Sequence, residues 1–383
     1  MSIFGDDTKK LGFGLMRLPL RDENDEGSID IQHMKDMVDI FMKRGFTYFD
    51  TAIMYCGGKS QNAVKEALSS RYPRESYTLA TKLHSGFFNT KEDRDKIFKE
   101  QLEATGVEYF DYYLLHDIGV ESLVKYEELD CFRWLMDKKM KGLVKHIGFS
   151  YHDNAELLDT ILIKHPEIEF VQLQLNYFDW ESEGVQSRKC YEVCVKHDKP
   201  VVVMEPVRGG TLANVSKDVE KLFKDYDENA SVASWAIRFA ASQENVKIVL
   251  SGMSNVEQMF DNTSYMQDFK PLNPEELSIL DKAVTMINDS LAIKCTACSY
   301  CTGGCPKNIA IPRYFALYNA DYLENRCENA EEWRPQSIYY ERLSNVFGKA
   351  SDCIACGQCE KICPQHLPII ENLKMIAKHF EGK

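Results

Sequence analysis

Asp50, Tyr55, Lys82 and His116 are the side chains from which acid–base chemistry can be built in this chain. Each sits at or just beyond the end of a short apolar or aromatic segment. Residues 45–49 run into Asp50, and Tyr55 follows five positions later with Gly57, Gly58 and Ser60 behind it. Lys82 ends 77–82, and His116 ends 111–116. A phenol is a poor acid at neutral pH, with a reference pKa near ~10. A neighbouring ammonium stabilises the phenolate, lowers that pKa and makes the proton available to a carbonyl oxygen. Lys82 can supply the charge and Asp50 can hold Lys82 in place. His116 can donate a second hydrogen bond to the same oxygen. Taken singly, Asp50 reads equally well as a helix cap and Tyr55 as a half-buried packing residue. Only the set of four points to carbonyl reduction.

A second chemistry is written in the cysteines. Of the 13 in the chain, eight fall into two groups after residue 294. The first is Cys295-x2-Cys298-x2-Cys301-x3-Cys305-Pro306, and the second is Cys353-x2-Cys356-x2-Cys359-x3-Cys363-Pro364. This is the spacing of two-cluster iron–sulfur proteins, in which three thiolates wrap one [4Fe-4S] cube and the fourth ligates the neighbouring one. The expected ligand sets are therefore crossed: Cys295, Cys298, Cys301 and Cys363 on one cluster, Cys353, Cys356, Cys359 and Cys305 on the other. Zinc is the competing reading, but its sites are usually built from two C-x-x-C pairs. The remaining cysteines, Cys56, Cys131, Cys190, Cys194 and Cys327, read as plain buried or surface thiols. Cys190 and Cys194 share a helical face, which is too little for a metal site.

The elements that must position these groups alternate along the chain. Apolar strand segments are expected at 11–16, 45–49, 77–82, 111–116, 144–150, 170–175, 200–204 and 247–250. Helical periodicity fills the gaps at 31–44, 62–70, 91–105, 124–140, 154–164, 185–197 and 232–241. Eight continuously apolar strands with helices between them fit a closed (β/α)8 TIM barrel better than an open doubly wound sheet. The open sheet would want a G-x-G-x-x-G after an early strand, and none is present. In such a barrel the working groups sit at the C-terminal ends of strands, where Asp50, Lys82, His116 and Ser150 all fall. A polar break at 268–274 and a last amphipathic helix at 275–287 lead to the first cysteines. The expected division is a barrel domain over 1–290 and a smaller, mostly α-helical iron–sulfur domain over 291–383. In the latter, helices are expected at 314–322, 335–347 and 371–380.

Composition narrows the partners. With 383 residues, 44% hydrophobic and 27% charged, the chain is an ordinary globular sequence. A net charge of −13 argues against nucleic acid and against anionic lipid surfaces. The N-terminus lacks the basic and apolar regions of a signal peptide, and no apolar run approaches a membrane span. The chain reads as cytoplasmic, with neither a membrane nor a nucleic-acid partner.

The segments Asp50-Thr51-Ala52-x-x-Tyr55, Ala80-Thr81-Lys82, Asp111-Tyr112-Tyr113-Leu114-Leu115-His116 and Gly148-Phe149-Ser150 together resemble the aldo/keto reductase family, over about residues 10–290. The resemblance implies hydride transfer from NADP(H) or NAD(H) to a small aldehyde or ketone. It implies that Ser150 and Gln172 hold the nicotinamide carboxamide, and that Met204 stands where many members stack an aromatic ring. Pro206, Val207, Gly209 and Gly210 would follow the pyrophosphate. Ser251, Gly252, Met253, Gln258 and Asn262 would surround the adenosine phosphate. Residues 251–262 contain no Lys or Arg to grip a 2′-phosphate, which leaves NADP and NAD both open. Substrate-shaping loops are expected at 83–90, 117–123 and 176–184. Phe87, Phe88, Tyr177, Phe178 and Trp180 there would line a pocket or pack the rim. The other class of function open to this chain is redox sensing or electron transfer, with a barrel that only binds nucleotide or docks a partner. Hydride carries two electrons and each cluster takes one, so a flavoprotein or ferredoxin-type redox partner is expected if the two are to communicate.

Overall fold

The eight apolar segments form parallel strands: β1 (Leu11–Gly14), β2 (Tyr48–Asp50), β3 (Thr78–His84), β4 (Phe110–Ile118), β5 (Val144–Tyr151), β6 (Phe170–Gln174), β7 (Val201–Met204) and β8 (Val246–Ser251). In this computed structural model each strand pairs with the next, and β8 pairs with β1 to close the barrel. The structure describes residues 3–5, 7–22, 24–182, 185–295, 299, 301–323, 334–363 and 365–382. Cys298, Cys327 and Pro364 lie outside the described residues.

Closure is set by what fills the interior. Tyr48, Ala80, Tyr112, Phe170, Val202, Ile248 and Leu250 pack inside the barrel, and Phe4 joins them. The Phe4 ring stacks on Tyr112 at 5.0 Å, and the Tyr112 hydroxyl donates to the Ile3 carbonyl at 3.0 Å. The N-terminal segment thus plugs the end opposite the working groups. Gly148 is required by this packing: a Cβ there would lie 2.7 Å from both the ring and the carbonyl oxygen of Phe170. That close approach seats β5 on β6 with Ser150 directly beside Gln172.

Two expectations are corrected. The single helix expected over 124–140 is two helices, Val120–Glu128 and Cys131–Met140. Asp130 between them is left-handed (φ 51°), Arg94 donates to the Leu129 carbonyl that the break sets free, and Lys91 pairs with Asp130. Apolar periodicity runs across both helices and hides the break. The second correction is an omission: Lys217–Tyr226 and Val256–Gln267 are helices as well. Both are mostly polar, and each is started by a side-chain cap, Ser216 and Asn255.

The last helix before the cysteines is Pro274–Asp289. Beyond it, the described helices Ile311–Leu323, Pro335–Val346, Gln358–Ile362 and Ile369–Glu381 enclose a separate core that includes Ile309, Tyr314, Phe315, Leu343, Leu373 and Ile376. Among the described residues no helix is long and apolar enough to cross a membrane.

Candidate active site

Asp50 and Lys82 end up inside the protein, at 2% and 0% exposure, because β2 and β3 run side by side to the same end of the barrel. Lys82 Nζ donates to Asp50 Oδ1 at 2.5 Å and to the Thr51 carbonyl at 3.0 Å. It lies 5.0 Å from the centroid of the Tyr55 ring, and that ring meets His116 edge-on at 6.0 Å. The structure therefore gathers all four predicted residues at one mouth.

Their electrostatics follow from burial and from one another. Burial disfavours the Lys82 ammonium, but Asp50 and Tyr55 outweigh it and hold the pKa above the ordinary lysine value. Burial pushes the Tyr55 phenol up, with Lys82 pulling it back and Asp50 and Glu205 pushing again; the net direction is upward. The simple expectation of a lowered phenol pKa is thus corrected: Lys82 acts as expected, and desolvation exceeds it. His116 is held well below the usual imidazole range, first by burial and then by Lys82, His84 and His152, so it is neutral. Its Nδ1 has no hydrogen-bond partner among the described residues.

Beside this group, Ser150 and Gln172 are buried on paired strand positions. Ser150 Oγ accepts from the Asp117 N–H at 2.8 Å, whereas Gln172 Oε1 is buried with no partner among the described residues. Met204 is half-buried at the end of β7. The loop that follows is built from left-handed residues: Glu205 (φ 55°), Arg208 (φ 52°), Gly209 (φ 63°) and Gly210 (φ 106°). Its N–H groups are engaged within the loop, Gly209 on Glu205 Oε2 at 2.5 Å and Gly210 on the Val207 carbonyl at 3.1 Å. Pro206 is buried and Val207 half-buried there.

Near β8, Ser251 and Met253 are buried, and Gly252 and Gln258 exposed. Asn262 is spent internally, donating to Ser251 Oγ at 2.8 Å and accepting from the Tyr265 hydroxyl at 2.6 Å. Gln258 Oε1 accepts from the Ser254 N–H at 2.7 Å. Sequence reasoning missed Arg17, from the loop after β1, whose side chain borders Gly252. The signal was absent because Arg17 is over 230 residues away in the chain and only closure of β8 on β1 brings it there.

The aromatic residues of the loops divide. Phe88 packs on Tyr126, and Tyr177 and Trp180 both pack edge-on against Phe239, so these are rim residues. Phe87 is exposed beside His84, and Phe178 lies under the Arg208 guanidinium.

The cysteines of the C-terminal region line two recesses. One is bordered by Cys305, Cys353, Cys356 and Cys359, with Ile309, Ile354 and Leu373 around them. The other is bordered by Cys295, Cys301 and Cys363, with Pro312, Phe315 and Leu367. The fourth cysteine of each run thus lines the recess of the opposite group. Cys56, Cys131, Cys190 and Cys194 are buried thiols elsewhere, each raised by burial.

Comparison with known proteins agrees with this geometry. A family model described as "Aldo/keto reductase family" matches residues 10–285, and one described as "4Fe-4S dicluster domain" matches 294–367. An aldo-keto reductase of Mycolicibacterium paratuberculosis is 26% identical over 280 residues, covering 72% of this chain and 87% of the relative. An uncharacterized oxidoreductase of Bacillus subtilis is 23% identical over 274 residues, covering 64% and 85%. The solved structure of an aldo-keto reductase from Klebsiella pneumoniae in complex with NADPH superposes with a TM-score of 0.58 at 20% identity. It covers 72% of this chain and 90% of that one, a likeness of fold.

Proposed function

Because the chain belongs to the aldo/keto reductase family and carries a 4Fe-4S dicluster domain, we propose that it reduces a small aldehyde or ketone at the mouth of its barrel, with Tyr55 as the proton donor. The observation that carries this reading is the buried Asp50–Lys82 pair set against the Tyr55 ring, with neutral His116 edge-on to the same ring. Tyr55, protonated at neutral pH, donates its proton to the carbonyl oxygen as charge develops there. Lys82 stabilises the phenolate left behind, and Asp50 keeps the ammonium in place and charged. His116 donates a hydrogen bond to the same oxygen and orients the carbonyl carbon.

The nicotinamide cofactor, when bound, supplies the hydride. Ser150 and Gln172 would hold its carboxamide, and the fit is supported by Gln172 Oε1, a buried acceptor without a partner among the described residues. Met204 would form the apolar face. Pro206, Val207, Gly209 and Gly210 would lie along the pyrophosphate. That role requires Gly209 N–H to be released from Glu205. Ser251, Gly252, Met253 and Gln258 would border the adenosine end, with Asn262 supporting Ser251.

The two cysteine-lined recesses support the reading of one [4Fe-4S] cluster each, with Cys353, Cys356, Cys359 and Cys305 on one and Cys295, Cys298, Cys301 and Cys363 on the other. Such clusters supply one-electron exchange. The domain division at residue 290 belongs to the same reading.

The test is a panel of aldehydes and ketones offered with NADPH or NADH to anaerobically purified, cluster-replete protein. Carbonyl-dependent oxidation of the nucleotide is expected. Nucleotide binding without turnover across a broad panel would instead favour a redox-sensing or electron-transfer role.

A further inference from the structure

The Pro335–Val346 helix of the cluster-bearing region lies across the loops that leave β4 and β5, at the mouth where the proposed chemistry occurs. Its Tyr339 hydroxyl meets His152 Nδ1 at 3.1 Å. Its Arg342 donates from Nη1 to the His152 carbonyl at 2.5 Å. From Nη2 it reaches the Asp117 carbonyl at 3.1 Å and the Asp117 carboxylate at 2.7 Å. Asn345 bonds Glu121 further along. Arg342 is 7% exposed, and a Cβ on Gly119 would collide with its guanidinium.

What Arg342 holds matters because of where it stands. Asp117 directly follows His116 and has φ 58°, in the left-handed region that non-glycine residues adopt uncommonly and Asp more readily than most. Its three polar handles are all taken. The N–H is on Ser150 Oγ, the carboxylate is on Arg342, and the carbonyl accepts both from Arg342 and, at 2.7 Å, from the Ser122 hydroxyl. The carboxylate also lies 4.0 Å from His84 Nε2. A single left-handed residue therefore joins His116, Ser150 and the cluster-bearing region.

We propose that Arg342 is a positioning residue of the barrel site: by clamping Asp117 in its left-handed conformation it aligns His116 toward substrate and Ser150 toward the nicotinamide. The iron–sulfur region thereby completes the mouth of the barrel. This rests on the carbonyl-reducing reading above for its His116 half, and on nucleotide binding alone for its Ser150 half. An ordinary interdomain ion pair would affect stability only. A clamp on the joint of the site affects kcat, because misplacement at the ångström scale costs rate far more than folding.

The experiment uses the full-length, cluster-replete protein under anaerobic conditions. Arg342→Met is expected to lower kcat about 10- to 100-fold with little change in carbonyl KM, and to weaken nucleotide binding by calorimetry about fivefold. Arg342→Lys should recover part of both, since an ammonium keeps the charge but cannot fork between the two carbonyls. Iron content and cluster absorbance equal to wild type show that the module is still assembled. If Arg342→Met loses its clusters, Asp117→Ala, whose Cβ disfavours positive φ, carries the test from the barrel side. It also removes the carboxylate, and should reproduce the losses. On that background Arg342→Met should add little. Full kcat and full nucleotide affinity in either cluster-replete variant would overturn the proposal. A wild type that reduces no carbonyl, while Arg342→Met still weakens nucleotide binding, would remove the carbonyl reading and leave the clamp on Ser150 standing.

Discussion

Tyr55 faces two opposed influences, a buried setting that keeps its proton on and an ammonium that lets the proton go. Removing the hydroxyl leaves the pocket's shape nearly unchanged. Tyr55→Phe is therefore expected to cost about 10²–10⁴-fold in kcat with nucleotide affinity little altered. Near-wild-type kcat, with chemistry established as rate-limiting, would remove Tyr55 from the role. Lys82→Met should be as severe, and it also strands Asp50 as a buried charge, at a cost of about 3–5 kcal/mol of stability. Circular dichroism melts must accompany its kinetics. Arg17 carries a second expectation. Its side chain borders Gly252, where residues 251–262 offer no cation of their own. Arg17→Met should weaken NADPH binding about tenfold and leave NADH binding unchanged, if the guanidinium meets the 2′-phosphate. Equal losses for both nucleotides would place Arg17 on another part of the cofactor. The four candidate side chains were legible because each lies at or shortly beyond the end of an apolar segment, and such an end is visible in one dimension. Arg17 and Arg342 were not, since each reaches its partner only through contacts between distant parts of the chain.

The strands were legible for the same reason that they form: a strand buried on both faces is a continuous apolar run, and nothing else in the barrel domain looks like one. Helices were less so. The break at Asp130 is made by tertiary partners, Arg94 and Lys91, whereas Lys217–Tyr226 does carry an apolar stripe at Val219, Leu222, Phe223 and Tyr226, in a stretch where one helix between β7 and β8 already satisfies the alternation. Cysteine spacing predicts crossed ligation, and Cys305 borders the recess of Cys353, Cys356 and Cys359, while Cys363 borders that of Cys295 and Cys301. Cys305→Ala and Cys353→Ala should then abolish the same EPR signal and leave the other. Cys363→Ala should match Cys295→Ala, with iron falling from about eight to about four per chain. A crystal structure with Cys305 and Cys295 on one cube would refute the crossing. The contact between the Pro335–Val346 helix and β5 makes a separate prediction through His152. Burial first, with Arg342 adding to it and Asp117 opposing, lowers its pKa from 6.5 to about 4. The unfolded chain therefore binds a proton at higher pH than the folded one, so stability is full above about 6.5 and falls as pH drops toward 4. His152 keeps some surface open to water, and the loss is up to about 3 kcal/mol. Urea unfolding across this range should show a pH dependence that His152→Gln flattens; an unchanged slope in the variant would contradict it.

At the scale of the whole molecule, a barrel suited to two-electron hydride chemistry is joined to a module suited to one-electron exchange. The division into barrel and helical cluster region was legible from the abrupt change at the cysteines. The docking of one onto the other was not, because an amphipathic helix such as Pro335–Val346 declares that it packs without declaring on what. That docking brings the module's Tyr339 and Arg342 to the mouth through hydrogen bonds, an ion pair with Asp117 and a ring contact with His152. Contact of this kind transmits position, and electron exchange requires more. A hydride donor gives up two electrons and a proton's worth of mass in one event, and a cluster accepts a single electron. Passing electrons from one to the other requires a group that can take two and release one at a time, which is the office of a flavin. The mismatch in electron count sets the expectation that nucleotide and clusters do not exchange electrons directly within this chain, and that a flavoprotein or ferredoxin-type partner connects them if they communicate. The measurement is anaerobic mixing of flavin-free, cluster-replete protein with excess NADPH or NADH, without partner, while cluster absorbance and EPR are followed. Slow or absent reduction, set against fast reduction by dithionite, is the expected result. Rapid reduction of both clusters on the timescale of turnover, at potentials that permit it, would defeat the expectation. It would show that the barrel and the module form one electron path.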